Sequence, residues 1–562
     1  MSDRIQRTRS LDTKAGMNRR SFLTRISWAT GTVAAPVIFT TATRAQAGSR
    51  APIARTTCGQ VRGAVKEGVN VFKGIPYAGS PEGDGRFRPA PMLKPWKGVR
   101  DALLYGPQSM QAPDPMWPKD WKRAISSENC LFLNVWTRGI NDGKRRPVMF
   151  YSHGGGFATG NGGADVPPQD TSHDGLALAR DYDVVVVTHN HRLNIFGYLY
   201  LGELLGQEYA ASGAVGMLDI AMALEWVSKN IENFGGDPSD IMIWGESGGG
   251  AKTSTLTAMP RVKGKFHRAS IESGSTLRMR TKESAAETAR AVLQVLGLDP
   301  GHARELLKIP AERLIEASQK LPRRPATGGG GGSVSSGIAG GLGFSPVVDG
   351  QILPAHPYDP VAPAISARVP LITGINKDET MFLYRPTTEI LSLDNAALEN
   401  RLQPMLGENT QKVLAVYRKS RPSASPAELF YAITTAQWMG SNAITMAERK
   451  AEQKAAPVYV YVFAYAAPSL VGAYTGTAHA AEIPFKFNHI AGNPKTDPRA
   501  KAARNFSRAW ATFARTGNPS HDEIPNWPAY TLDRRATMFI NSECKVVNDP
   551  YPEERLVWKS LA

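Results

Sequence analysis

A serine set among glycines, Gly245-Glu246-Ser247-Gly248-Gly249, ends the β-branched and aromatic run from Ile241 to Trp244. The pattern is G-x-S-x-G, a strand that breaks sharply into a helix with the serine at its apex. Such a turn holds the serine in strained backbone angles, and side chains two residues to either side would strike the crossing strand and helix. Gly245 and Gly249 remove that collision. A serine hydroxyl is a poor nucleophile at neutral pH, so catalysis also requires a base, an orienting acid and an oxyanion hole. Without them the segment is a glycine-rich bend. A phosphate-cradling loop is a further reading, because Ala251-Lys252-Thr253 follows the glycines. That motif needs glycine where the chain has Glu246 and Ala251, which weighs against a nucleotide-binding protein.

Acyl transfer needs hydrogen-bond donors aimed at a developing negative charge, each worth about two to three powers of ten in rate. His153-Gly154-Gly155-Gly156-Phe157 follows the strand-like run that ends near Tyr151, and its successive glycine amides can point into one small cavity. This HGGG-type loop accompanies the serine elbow in α/β-hydrolases, where the amide after the serine, here Gly248, completes the set. In that fold the order is serine, acid, histidine, so the acid lies beyond Ser247 and the base beyond the acid.

The elements that must carry these residues are legible in the hydrophobic pattern. Residues 147–151, 183–188, 240–244, 370–373 and 458–463 are β-rich and nearly continuous in hydrophobicity, as strands buried on both faces are. Between two of them, Met217 to Ile231 repeats apolar residues at helical spacing and stops at Asn233-Phe234-Gly235-Gly236-Asp237-Pro238. This alternation predicts an α/β sheet with helices on both faces, and ligands bind such sheets at the carboxyl ends of the strands. The low-complexity stretch 328–343 is a flexible glycine-rich loop, read as a tolerated insertion in preference to a substrate-gating lid.

Taken together these segments resemble the type-B carboxylesterase and cholinesterase family over nearly all of the chain. Besides the elbow and the glycine loop, residues 127–135 (SENCLFLNV) are similar to the family's S-E-D-C-L-x-L-N signature. Gly235-Gly236-Asp237-Pro238, Phe266-His267-Arg268-Ala269 and Ser273-Gly274-Ser275 match as well. The resemblance implies the α/β-hydrolase fold, with a central, mostly parallel mixed β-sheet and helices on both faces. It places the catalytic acid at Glu379 in the loop 374–379, with Asp378 as a bland neighbour, and leaves His479, His489 and His521 as the histidines beyond it. Residues 476–485 match the family's histidine loop, with Glu482 three residues after His479, so the implied triad is Ser247, Glu379 and His479. Gly155, Gly156 and Gly248 are the implied oxyanion donors. Structural or surface roles fall to His489 and His521, loop shaping to His153 and strand-end packing to His189 and His191.

The implied activity is hydrolysis of carboxylic esters through an acyl-enzyme, with no metal, nucleotide or organic cofactor. Rival readings inside the class are a lipase and a dedicated xenobiotic or aromatic ester hydrolase. A non-catalytic cholinesterase-like binding protein would lack the serine or histidine, and this chain has both. The chain also departs from the family. Many relatives carry a cysteine at the place of Ser109, bridged to the cysteine of the signature, and here Ser109 cannot pair with Cys130. The loop between them, with Trp117 and Trp121, is expected to be less constrained, and neither tryptophan aligns with the cholinesterase cation–π platform.

Composition is that of an ordinary globular protein, with 562 residues, 42% hydrophobic and 21% charged. Of the net charge of +16, the first 47 residues hold +6, from eight Lys/Arg against two Asp/Glu. The remaining basic residues are scattered without a stripe or aromatic interleaving, which argues against a nucleic-acid site. Arg19-Arg20 before Phe22-Leu23, a weakly apolar stretch to about Thr41, and small residues at 45–48 resemble a twin-arginine export signal cleaved after Ala47. The expected organisation is a signal over 1–47 and one catalytic domain over 48–562. The mature protein would be periplasmic or secreted, meet the twin-arginine machinery before processing, and not insert stably in a membrane. Cys58, Cys130 and Cys544 are too few and too scattered for a disulfide framework, so at least one free thiol is expected.

Overall fold

Hydrophobic runs long enough to be buried on both faces demand covering layers above and below, and that is the arrangement found. The computed structural model describes residues 51–113, 122–166, 173–321, 343–468 and 475–561. The proposed export signal, Trp117 and Trp121, and residues 328–342 of the glycine-rich stretch lie outside them. From Arg50 onward the chain forms one compact unit.

Among the described residues an 11-stranded sheet dominates. Its strands are β1 (Ala64–Lys66), β2 (Val69–Pro76), β3 (Phe132–Thr137), β4 (Arg146–Ser152), β5 (Val185–His189) and β6 (Gly236–Glu246). They continue with β7 (Arg268–Glu272), β8 (Leu371–Asn376), β9 (Val458–Phe463), β10 (Ala536–Ile540) and β11 (Lys545–Asn548). The spatial order is β1-β2-β3-β5-β4-β6-β7-β8-β9-β10-β11. From β5 to β10 every neighbouring pair is parallel. The flanking pairs β1·β2, β2·β3, β3·β5 and β10·β11 are antiparallel.

Strand alternation divides the core between the two faces. Val148 and Phe150 of β4, with Val185 and Val187 of β5 and Ile241 and Ile243 of β6, join the helix α1 (Val215–Asn230) through Met217, Ile220 and Leu224. Met149, Tyr151, Met242 and Trp244 face the other way, toward Phe506, Trp510 and Phe513 of the long helix Pro498–Thr516. The helical stretch Gln207–Phe234, which contains α1, is by length and composition apolar enough to cross a bilayer, and 83% of its most apolar window is buried inside the molecule. The apolar surface is consumed by the sheet. All three cysteines are free, and Ser109 lies against Cys130.

Candidate active site

The chain leaves β6 at Glu246 and enters the helix α2 (Gly248–Leu256) through Ser247 alone, at φ 58°, ψ −123°. For a residue with a Cβ this conformation costs on the order of 1–3 kcal/mol and persists only where the surroundings hold it. Here the Ser247 amide donates to the Glu272 carbonyl at the end of β7 (2.9 Å), and the Ser247 carbonyl accepts from the Ala251 amide (3.0 Å). A side chain on Gly249 would strike the Ser152 carbonyl, and one on Gly245 the backbone of Gly249. Both glycines are therefore required by contact, as their spacing in the sequence predicts.

The Ser247 hydroxyl donates to Nε2 of His479 at 2.8 Å, and Nδ1–H of His479 donates to Oε2 of Glu379 at 2.5 Å. Glu379 follows β8, and its other oxygen accepts from the Asn376 amide (2.7 Å) and the Ser273 hydroxyl (2.6 Å). The carboxylate is therefore oriented before the imidazole meets it. Asp378 turns elsewhere, accepting from the Thr477 amide at 3.1 Å. His489 is spent on the Asp174 carbonyl and His521 on that of Asn505.

A second carboxyl group faces the imidazole, with Glu246 Oε1 3.3 Å from His479 Nε2. Burial pushes the Glu246 carboxyl up to about 8. Burial alone would lower His479, but the carboxylates of Glu246 and Glu379 outweigh it and raise the imidazole to about 9. Both shifts express one tendency, retention of a shared proton between the two groups above the ordinary imidazole range. Below them Glu482 accepts from Asn376 Nδ2 (2.5 Å) and lies 3.5 Å from Lys486, whose ammonium donates to Glu272 at 2.5 Å. Lys486 is fully buried, yet its proton affinity is raised, because Glu272 and Glu482 overcome the desolvation that would lower it. Phe382 and Trp438 stand over the imidazole, with ring centroids 5.4 and 4.9 Å from it.

On the opposite side of Ser247, Gly155 and Gly156 take φ +82° and +62°, angles that side chains rarely adopt. A Cβ on Gly248 would collide with the backbone of Gly156, so the glycine loop and the start of α2 touch. His153 Nδ1–H donates to the Gly154 carbonyl (2.9 Å), which fixes the loop from within. Lys252, fully buried on α2, donates to the His153 carbonyl at 2.8 Å. Burial pushes its ammonium down to about 7, against some support from Glu246. The imidazoles around it are lowered by burial too, His173 and His189 to about 3, with His153 and His191 well below the usual range. The sequence reading of His189 and His191 as packing groups fits their stacking on Phe150 and His153.

Glu379, His479 and Gly248 therefore gather at Ser247, with Gly156 against Gly248 and Gly155 next to it in the glycine loop. Sequence reasoning missed Glu246 and Lys252 as members of the site and gave no part to Ser273, Asn376, Phe382, Trp438 or Lys486. The signal for Glu246 was its adjacency to Ser247. For Lys252 it was an ionisable residue five positions into an otherwise small-residue helix. Among the described residues no group of three or more His, Cys, Asp or Glu side chains is arranged to hold a metal ion.

A parallel sheet with a strained serine at a strand end, a histidine and a carboxylate in line with it, is the architecture of a serine hydrolase of the α/β-hydrolase fold. The model of the carboxylesterase family matches residues 50–558, and the chain belongs to that family. It is 35% identical over 511 residues to the para-nitrobenzyl esterase of Bacillus subtilis (strain 168), covering 90% of this chain and 97% of that one. The phenmedipham hydrolase of Pseudarthrobacter oxydans is 31% identical over 507 residues, covering 88% and 95%. Among solved structures, a carboxylesterase from Geobacillus stearothermophilus superposes with a TM-score of 0.75 at 36% identity, over 90% of this chain and 99% of that one. The protein is a carboxylic ester hydrolase.

Proposed function

We propose that Ser247 is the nucleophile, His479 the general base and Glu379 the residue that orients and charge-compensates it. The carrying observation is the unbroken hydrogen-bonded line from the Ser247 hydroxyl through His479 to Glu379. His479 takes the Ser247 proton as Oγ attacks the ester carbonyl, and the oxygen that gains the electron pair is held by the amides of Gly155, Gly156 and Gly248. Collapse of the tetrahedral species breaks the bond to the alcohol oxygen, which receives its proton from His479. Water, deprotonated by the same histidine, then attacks the acyl carbon and frees the acid and Ser247. A serine-reactive organophosphate with peptide mapping tests this assignment. The label is expected on Ser247, and Ser247→Ala is expected to be inert; a label elsewhere or an active alanine variant removes it.

Phe382 and Trp438, aromatic rings beside His479, support aromatic esters as the finer reading of the substrate. Rates on phenyl against alkyl esters of one acid, and on acyl chains of two to sixteen carbons, separate this reading from a lipase. Export through the twin-arginine route is the accompanying proposal for localisation, supported by the pattern around Arg19-Arg20. Replacing both arginines with lysine is expected to retain the full-length precursor in the cytoplasmic fraction.

A further inference from the structure

Lys252 is retained where a lysine is costly. It is fully buried, lies in the first turns of a helix whose amino end already carries positive potential, and among the described residues forms no ion pair. The groups facing it are Glu246 at the end of β6 and the imidazoles of His153, His173, His189 and His191. Its hydrogen bond goes to the carbonyl of His153, the residue directly before the three glycines and 99 positions away in sequence. Gly155 and Gly156, held at positive φ, belong to a segment with no side chains of its own to fix it.

Three hydrogen bonds hold that segment besides the turn bonds that Ala158 and Thr159 donate to the Gly155 carbonyl (amides at 3.2 and 3.0 Å). His153 Nδ1–H holds the Gly154 carbonyl (2.9 Å), and the Asn194 amide holds the Phe157 carbonyl (2.6 Å). The third, from Lys252 at 2.8 Å, comes from the helix that begins at Gly248, immediately after Ser247. Peptide planarity makes it a constraint on orientation, since fixing a carbonyl fixes the amide of the same plane and the entry into the next.

We propose that Lys252 is a positioning residue for the oxyanion hole, tying the glycine loop to the helix of Ser247 and Gly248 so that donors from two separate segments converge on one oxygen. The proposal rests on the oxyanion assignment made above. It explains why a lone buried cation stands at this place: an amide displaced by a fraction of an ångström loses its bond to an oxyanion while still tolerating the neutral carbonyl of the substrate. Lys252 touches no reacting atom and acts through the backbone of His153.

The test uses Lys252→Met and Lys252→Ser in the otherwise unaltered protein, with p-nitrophenyl butyrate as substrate and an alkyl trifluoromethyl ketone as inhibitor. The ketone accepts Ser247 Oγ at its carbonyl carbon, the carbonyl electron pair moves to oxygen, and the proton passes to His479, so its affinity reports on the hole. The expected result is a kcat lower by about ten- to a hundredfold, one step short of deleting a donor. KM stays within about threefold, and the ketone Ki rises in proportion to the loss in kcat. A kcat within threefold of the parent in either variant overturns the proposal. So does a loss of kcat with unchanged ketone affinity, or failure of both variants to fold, which would make the lysine a folding residue. Ser247→Ala runs alongside: if it stays active, the nucleophile assignment has failed, and if it is inert while the Lys252 variants are fast, only the tie has.

Discussion

Two fully buried lysines flank Ser247, and their surroundings treat them oppositely. On the side of the base, Lys486 lies between Glu272 and Glu482, which raise its proton affinity although burial works against it. On the side of the oxyanion, Lys252 meets a backbone carbonyl, uncharged imidazoles and the more distant Glu246, whose support does not offset burial, and its affinity falls to about 7. Burial is the largest influence on both, so the partner set decides the sign. The base side is built from compensated charges and makes a rigid floor under the histidine loop. Glu482 bonds Asn376, which also holds the Ala478 carbonyl next to His479 (2.8 Å). On the oxyanion side the cation, with no carboxylate in ion-pair reach among the described residues, lowers stability, a cost that a structural role alone does not explain.

The sharpest test of this contrast is on the base itself. His479→Ala is expected to lower kcat by roughly 10⁴- to 10⁶-fold, far beyond any change at either lysine; a loss under a hundredfold in steady-state hydrolysis would dissolve the division. Next in size, Lys486→Met strands two buried carboxylates and should cost about 3–5 kcal/mol in urea unfolding, with Lys486→Met/Glu272→Gln recovering most of it. A neutral single variant would show that the floor is not held by charge.

Lys252→Met should act in the reverse direction and stabilise the protein, on the order of 1–4 kcal/mol at pH 6. The sign follows from linkage. Lys252 falls from 10.5 when free to about 7 in the folded protein, so the unfolded chain binds the extra proton between those values and parent stability rises with pH across that window. The gain from Met is therefore largest below about pH 7 and fades toward 10.5. Thermal melts of both proteins across pH measure it, and destabilisation at pH 6 would break the comparison.

The smallest effect concerns the shared proton. Because His479 must be neutral to accept from Ser247 and its affinity is raised, kcat/KM should rise with pH along a limb centred above the ordinary 6.5. Glu246→Gln removes one of the charges that raise it and should move that midpoint down by about one unit. An unmoved limb would mean that Glu379 alone sets the base.

Much of the fold was legible because the inner strands are buried on both faces and read as unbroken apolar runs. β4, β5, β6, β8 and β9 were all found within a few residues. β7 was not. Its sequence, Arg268-Ala269-Ser270-Ile271-Glu272, is too polar to look buried, yet Glu272 is enclosed because Lys486, Ser270 and Trp510 reach it. β3, with Asn134 in its middle, was hidden in the same way, since that amide is satisfied by Gly162 and Thr188. Burial of a polar residue depends on partners that local periodicity does not see.

What the chain alone determined were features fixed by local backbone demands. They are the glycine-flanked serine, the glycine loop that needs positive φ, the alternation of strand and helix, and the order serine, acid, histidine. The tertiary structure alone decided what each ionisable group meets. It brings His479 to Ser247 across 232 positions and Lys252 to the glycine loop across 99. It also gives one buried lysine two carboxylates and the other none within ion-pair reach among the described residues. Backbone angles are written in residue types at short range, whereas proton affinity and hydrogen-bond direction are set by whatever the fold packs alongside.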